Sequence, residues 1–363
     1  MAVGLVVVGL GQVGSSLVAG VEAVRAHLVH PWGSLVDAGG AGRAPEHGAV
    51  APLRAHAPFA ELNDLVLGAF ELRDDDAYRA AMRAGLASRS LLDELRPRLR
   101  QIRAMAGARH APTRRHLADA LAEDLRGFLA HGGCSRGVVV CTVPGPPEPV
   151  AQPPFSADDV WAALEEGGPE VTPGLVYAAA AAQAGCGFVA AAPDAALQAP
   201  GIAALFAEAG RPIAGVGLLT PGAALREAVA GALAAEGLGL RGTASLSTRV
   251  EERGARLWGG PDRTQEMGLA SAWAGSCFEL SIELRGQIAL HLAARALDAA
   301  LLAELAMRAG RAGAQEWMDA LFAAPIAPVS PREARSATLA ERRARLRAEI
   351  PAVAAAAAAV DAA

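Results

Sequence analysis

The sequence predicts an α/β protein whose strands and helices alternate into a doubly wound, mostly parallel sheet. A second α+β domain is inserted before a C-terminal helical segment that returns to the first. Three observations predict this. The chain opens with an apolar run, Val3 to Val8, that stops at a glycine cluster and continues as a helix. Short apolar strands then alternate with helical stretches as far as Gly217, the pattern of βαβ units. From Leu240 the strands become longer and partly polar, and a long apolar helix follows from Gln287.

Val3 to Val8 ends at Gly9-Leu10-Gly11-Gln12-Val13-Gly14, after which Ser15 to Gly20 reads as the first turns of a helix. Strand, tight turn and helix in that order form the phosphate-binding unit of dinucleotide sites. The first glycine permits the turn, the second admits a pyrophosphate to the backbone, and the third lets helix pack on strand. The helix N-terminus offers unpaired amide donors. Gly9, Gly11, Gln12, Val13, Gly14 and Ser15 are therefore candidate cofactor-binding residues of a Rossmann-like domain. A tight turn kept for packing alone would use the same glycines.

The first helix is expected to continue to about His30, and Pro31 to Pro58, rich in Gly, Pro and Ala, reads as a long loop. Leu65 to Phe70 is the next strand. It ends at Glu71-Leu72, and Asp74-Asp75-Asp76 is an acidic start for a helix over Tyr78 to Ala84. A carboxylate at the end of the second strand is what ribose hydroxyls need, so Glu71 is the candidate, although it lies well beyond the usual roughly twenty residues from the glycine turn. A surface acid flanking a helix is the alternative. Helical spacing recurs over Leu91 to Met105 and His116 to Ala130. Gly137 to Thr142 is a buried strand running into Val143-Pro144-Gly145-Pro146-Pro147-Glu148-Pro149. Parallel strands aim their C-terminal ends at ligands, which makes Thr142 and the turn that follows it further cofactor-site candidates, with a rigid linker as the bland reading. Helices follow over Asp158 to Glu165 and, behind a Thr172-Pro173 cap, Gly174 to Ala184. Gly187 to Ala191 and Pro212 to Gly217 are strands on either side of a helix over Ile202 to Ala209. Thr220-Pro221-Gly222 begins a helix to about Glu236, whose N-terminus is a candidate anion site.

In the second half, Leu240 to Thr248 is a strand, and Arg249 to Gln265 is charged and weakly patterned. Cys277 to Leu284 alternates with period two, as a half-buried strand should. Gln287 to Arg308 is a long helix, Trp317 to Phe322 a short one, and Pro325-Ile326-Ala327-Pro328 a stop. From Pro331 an arginine- and alanine-rich helix, then Pro351 and a run of alanines, read as a peripheral helix or a frayed tail. The expected domains are residues 1–213, Rossmann-like; 214–285, a reduced α+β catalytic or oligomerisation domain; 286–330, helices returning to the first domain; and 331–363, the peripheral segment.

The formal charge of −5 gives no footing for nucleic acid. Cys134, Cys141, Cys186 and Cys277 are widely spaced with no CxxC pair, so no disulfide framework is expected. No basic leader and no unbroken apolar stretch of membrane-spanning length is visible, so a cytoplasmic protein with no membrane contact is expected. The acids and histidines lack ligand spacing, so no metal is expected. All 33 basic residues are arginine. A mechanism that needs a neutral amine as base or nucleophile cannot draw on these side chains.

In the order of its segments the chain resembles the myo-inositol-1-phosphate synthase family. The resemblance is carried by the N-terminal glycine turn, Leu67-Gly68-Ala69-Phe70-Glu71, Glu123-Asp124-Leu125-Arg126-Gly127-Phe128, and the strand and turn from Val138 to Pro149. Thr172-Pro173-Gly174-Leu175-Val176-Tyr177-Ala178, Phe188 to Ile202, Ala214 to Glu227 and Phe278 to Gly310 extend it. It implies a tightly held NAD and a redox-neutral conversion of glucose 6-phosphate to inositol phosphate through oxidation, enolisation, intramolecular aldol closure and reduction by the same cofactor. It also implies a second domain that builds the active site and a tetramer, and lysines that hold phosphate and manage the proton transfers.

The resemblance places two of those lysines at Leu219 and Arg226, and a polar Asn/Asp pair at Val216 and Gly217. A late aspartate falls near Gly286 or Gln287, and the Asn/Gly/Asp-rich segment with its catalytic insertion shrinks to Ser245 through Gln265. Arg226 keeps a fork suited to phosphate, so Thr220, Gly222 and Arg226 are the candidate phosphate-binding residues. A guanidinium does not act as a base near neutral pH. The catalytic residues stay unassigned: Asp262, Glu266, Glu279 or His291 would manage protons in an enzyme, whereas His291 in an apolar helix also reads as a packed histidine. The sequence thus points to a divergent member of that family that binds NAD and forms a homo-oligomer, dimer or tetramer. A non-catalytic or regulatory role stands against an NAD-dependent isomerase or oxidoreductase acting on a sugar or cyclitol phosphate.

Overall fold

The computed structural model describes residues 1–37, 51–85, 87–146, 153–168, 170–249, 262–326 and 337–361. Parts of the expected long loop, the proline-rich turn, the charged stretch and the start of the C-terminal segment lie outside them. β1 (Val3–Val8) is buried at all six positions, as a central strand covered on both faces must be. α1 (Gln12–Arg25) follows the glycine turn. It stops short of His30 because His27 takes a left-handed conformation, φ 58°.

β2 (Leu65–Glu71), α2 (Ala77–Ala84) and α3 (Arg89–Leu99) come next. Asp76 caps α2 and Ser88 caps α3, each side chain accepting an amide from the first turn. Met105 does not extend α3; it belongs to a short edge strand, β3 (Ala104–Ala106). α4 (Arg114–His131), β4 (Arg136–Cys141), α5 (Ala157–Glu166), α6 (Pro173–Gln183), β5 (Gly187–Ala190), α7 (Pro200–Glu208) and β6 (Pro212–Leu218) complete the first half. Thr172 caps α6 and proline fills its first turn, as read from the sequence.

These strands are parallel in the spatial order β3-β2-β1-β4-β5-β6. The order reverses between β1 and β4, and in such sheets the crevice beyond the strand ends at that reversal receives the ligand.

The middle of the chain leaves this sheet. α8 (Pro221–Ala235) leads to β7 (Gly239–Arg249), β8 (Asp262–Ser271) and β9 (Cys277–Gly286), which form a separate antiparallel sheet in the order β7-β8-β9. β8 falls partly in the stretch that looked unpatterned. Its Thr264, Glu266 and Ala270 are buried, whereas Met267 and Leu269 are exposed. α8 packs on β7 and β8, and β9 keeps the alternation that its sequence predicts, Leu280, Ile282 and Leu284 being partly buried between exposed residues.

α9 (Ile288–Arg308) then returns to the first sheet and packs across β4, β5 and β6. β10 (Gly313–Ala314) pairs parallel with β6, and β11 (Phe322–Ala324) pairs antiparallel with it. Between them Glu316–Leu321 is a 3-10 helix. α10 (Leu339–Asp361) is one continuous helix despite Pro351, and it is neither peripheral nor frayed. Leu346, Ile350, Val353 and Ala357 recur at helical spacing and are buried, and the helix packs on α8 and α9. Truncating Ile350 to alanine there would cost about 2–5 kcal/mol.

The parallel sheet thus has two cores. One lies beneath α1, α2, α3, α9 and α10, the other beneath α4, α5, α6 and α7. Among the described residues no helix is long and apolar enough to cross a membrane.

Candidate functional site

The reversal between β1 and β4 carries the glycine turn. Gly9 has φ 85°, where an L side chain is strained, and a Cβ there would stand 2.8 Å from Val143 Cγ2. A Cβ on Gly14 would run into the carbonyl oxygen of Gly9, so helix and turn touch through backbone. Gly11 differs: a Cβ there would meet nothing within 4 Å. No side chain caps α1 at Gly11. The first turn therefore opens outward with its amides, and open space lies where a pyrophosphate must approach.

The neighbouring hydroxyls hold this turn in shape. Ser15 Oγ donates to Leu10 O at 2.8 Å, and Thr142 Oγ1 lies 2.9 Å from Val8 O and 2.8 Å from Gly9 O. Thr142 sits at the crevice as expected, but its proton is directed at the backbone of β1 and the turn. Gln12 and Val13 lie in the first turn of α1.

Glu71 ends β2 beside the turn. Its Oε2 accepts the Leu10 amide at 2.9 Å and its Oε1 the Leu72 amide at 2.8 Å, with Arg83 Nη2 3.6 Å away. Each carboxylate oxygen keeps further lone-pair capacity for a ribose hydroxyl. The long separation from Gly9 is absorbed by the segment between α1 and β2. A pocket of about 230 Å³ adjoins the carboxylate. Its walls include Gly9, Phe70, Val143, Val176 and Tyr177. Tyr177 donates to Gly107 O at 2.6 Å, and burial pushes its phenol above the ordinary value, so it remains a neutral wall. An apolar slot next to a carboxylate and a glycine turn suits a purine, a ribose and a pyrophosphate in sequence. The residues present fit NAD. Val143 opens the turn expected after Thr142, whereas Phe70 and Tyr177 carry no ligand motif and were not singled out as ligand contacts from the sequence; only their places at a strand end and on α6 mark them.

The second candidate group lies on α8. Thr220 caps the helix, its Oγ1 accepting the Ala223 amide at 3.3 Å. Arg226 Nη1 donates to Glu266 Oε2 at 2.6 Å, and Ser245 Oγ donates to Glu266 Oε1 at 2.8 Å. A Cβ on Gly222 would stand 2.6 Å from Glu266 Oε1. The anion that meets Gly222 and Arg226 is thus the chain's own buried carboxylate, and Arg226 is a structural partner instead of a free phosphate fork. Leu219 is 6% exposed and its amide donates to Leu321 O at 2.8 Å.

The structure does not bring the four acid–base candidates together. Glu266 is tied to α8. Glu279 is exposed and lies opposite Leu269 on the outer face of the antiparallel sheet, while Asp262 opens β8. His291 lines a separate pocket against α8 and α10, where burial and then Arg295 push its pKa down to about 4. Among the described residues no group of three or more His, Cys, Asp or Glu side chains is placed to hold a metal ion.

A sequence model of the myo-inositol-1-phosphate synthase family matches residues 3–348. The chain belongs to that family. Inositol-3-phosphate synthase 1 of Bacteroides thetaiotaomicron is 24% identical over 377 residues, covering 87% of this chain and 87% of its own. The crystal structure of inositol-3-phosphate synthase from Caenorhabditis elegans matches the fold with a TM-score of 0.80 at 16% identity, over 97% of this chain and 86% of that one. A myo-inositol-1-phosphate synthase-related protein from Thermotoga maritima matches with a TM-score of 0.70 at 16% identity, over 96% and 98%. Membership of the synthase family accounts for the NAD-type domain and for a second, antiparallel sheet inserted before the returning helix.

Proposed function

We propose that this chain is an NAD-binding member of the synthase family that does not cyclise glucose 6-phosphate and serves a non-catalytic or regulatory role. NAD would be held by the backbone of Gly9 to Ser15 and by Glu71, with its adenine in the pocket beside Tyr177. When bound, the cofactor supplies a hydride acceptor. One observation carries the reading on the chemistry. The positions at which the resemblance puts lysines are Leu219, packed under Leu321, and Arg226, paired with Glu266. Neither can take a proton from a sugar carbon or shuttle one to an oxyanion. No other side chain of the sequence offers an amine.

A second reading, an NAD-dependent isomerase or oxidoreductase acting on a sugar or cyclitol phosphate, rests on His291, which lines a pocket with a neutral ring but is a weak base, its pKa pushed down to about 4.

The test is to denature the purified protein, identify any released nucleotide by absorbance and mass, and incubate the native protein with glucose 6-phosphate and NAD. The expected result is NAD in near-stoichiometric amount, no cyclitol phosphate and no reduced cofactor. Catalytic formation of inositol phosphate would overturn the reading, accumulation of NADH would favour the second one, and failure to retain or take up NAD would end both.

A further inference from the structure

α8, α9 and α10 enclose a pocket of about 310 Å³ at the end of β6. Its polar lining holds three guanidinium groups, Arg295 from α9 and Arg343 and Arg347 from α10, with the neutral imidazole of His291 beside them. The remaining wall is largely aliphatic, with Leu219, Leu225 and Leu346 among its residues. Arg295 is neutralised by Asp298, its Nη1 lying 3.1 Å from Oδ2. The nearby Arg342 is paired with Glu227. Among the described residues Arg343 and Arg347 join no ion pair, and the only hydrogen bond of the Arg347 guanidinium is to Ala51 O at 3.3 Å. Partial burial and the charges of Arg295, Arg342 and Arg347 outweigh the carboxylate of Glu227 and hold the Arg343 guanidinium below its ordinary pKa.

Two arginines one turn apart on a helix repel each other, and here they also face a third. Such an arrangement is unfavourable in the absence of an anion and is relieved by one. The uncompensated charge is that of two guanidinium groups, which matches a phosphate monoester dianion, and the fork geometry of arginine suits its oxygens. The aliphatic wall favours an organic part less polar than a sugar.

We propose that this pocket binds a small phosphate monoester with a compact apolar body, its phosphate on Arg343 and Arg347 and its body against Leu219 and Leu225. The proposal does not depend on NAD binding. It differs from the glycine-turn site in every residue, and it places the ligand-binding cations on α10 instead of on α8.

Calorimetric titration of the whole chain with phenyl phosphate, glucose 6-phosphate and inorganic phosphate tests it, with and without NAD. Phenyl phosphate should bind saturably and about tenfold more tightly than either of the others. Arg343→Gln and Arg347→Gln should each weaken it by about tenfold, the value of one charge-assisted hydrogen bond. Arg343 is only partly buried and joins no ion pair among the described residues, so its variant should fold as the parent does, which a thermal melt checks. The ring resonances of His291 should shift on titration in the parent chain and not in a chain carrying both substitutions. Absence of saturable binding below about 10 mM, weaker than any specific recognition, would overturn the proposal. Equal affinity of parent and variants would do so too, and tighter binding of glucose 6-phosphate than of phenyl phosphate would refute the apolar body.

Discussion

Replacing Gly11 by alanine separates a phosphate cradle from a turn kept for packing. Gly11 has φ −72° and ψ −159°, a conformation open to any residue. Its Cβ would stand in empty space. Without nucleotide, Gly11→Ala should therefore be neutral or stabilising by about 0.4–1 kcal/mol, through the restricted unfolded chain. With NAD present at a hundred times its dissociation constant, the parent chain should gain about 2.7 kcal/mol. At an unfolding entropy of about 2.1 cal/mol/K per residue over 363 residues, this corresponds to a rise in melting temperature of about 3–4 °C. The alanine methyl occupies the approach of the pyrophosphate, so the variant should lose that rise while melting no lower than the parent in its absence. Gly14→Ala supplies the contrast. Its Cβ would collide with the Gly9 carbonyl and stand 2.9 Å from Val7 Cγ1, so it should melt lower with or without NAD. Differential scanning fluorimetry of the three proteins is sufficient. A Gly11→Ala chain that keeps the full NAD-dependent rise would refute the reasoning and leave the glycines as a packing device.

Glu71→Ala should weaken NAD by about tenfold or more through loss of the ribose acceptor, and the parent should prefer NAD over NADP because its carboxylate repels a 2′-phosphate; equilibrium titration of both nucleotides decides. Arg226→Leu leaves Glu266 buried without its cation and should destabilise the chain by about 2 kcal/mol in chemical denaturation, with NAD affinity unchanged. Asp319 is pushed up to about 7, first by burial and then by Glu316. Its contribution to stability is present below the unfolded carboxyl value of about 4 and is lost as pH rises through about 7. Asp319→Asn should thus raise stability by about 1–2 kcal/mol at pH 8 and change little at pH 4, seen as a pH-dependent gap between the two melting curves.

The glycine turn, the strand before it and most of the first-half helices were legible because apolar period and caps agree there. β3 was not: Ala104-Met105-Ala106 follows a helix directly and carries no β-branched residue. β8 escaped because its inner face includes Thr264 and Glu266, and their burial is made tolerable by α8, which no local pattern reveals. The alternation of β9 identified both the strand and its partly buried face, Leu280, Ile282 and Leu284. Leu346, Ile350, Val353 and Ala357 show that a core-facing stripe in an alanine-rich helix is real yet faint. At the site, Glu71 could be named from its place at a strand end. Ser15, Thr142 and Arg226 could be picked out by chemical type, but each finds its partner within the protein. Arg295 is far in sequence from Arg343 and Arg347, and only the packing of α9 on α10 unites them.

The return of α9 to the first sheet also sets the order in which the protein can be completed on the ribosome. Val140, Val189 and Ala214 belong to the core beneath α9, and among the described residues α9 is the main helix packed across β4, β5 and β6 on that face. Between the end of β6 at Leu218 and the end of α9 at Arg308 the ribosome must add the whole antiparallel sheet. At about 5–20 residues per second, that half of the sheet stays wet for roughly 5–18 s. During this interval the nascent chain presents an apolar surface with an unpaired β6 edge, the form in which chains most readily recruit a chaperone or one another.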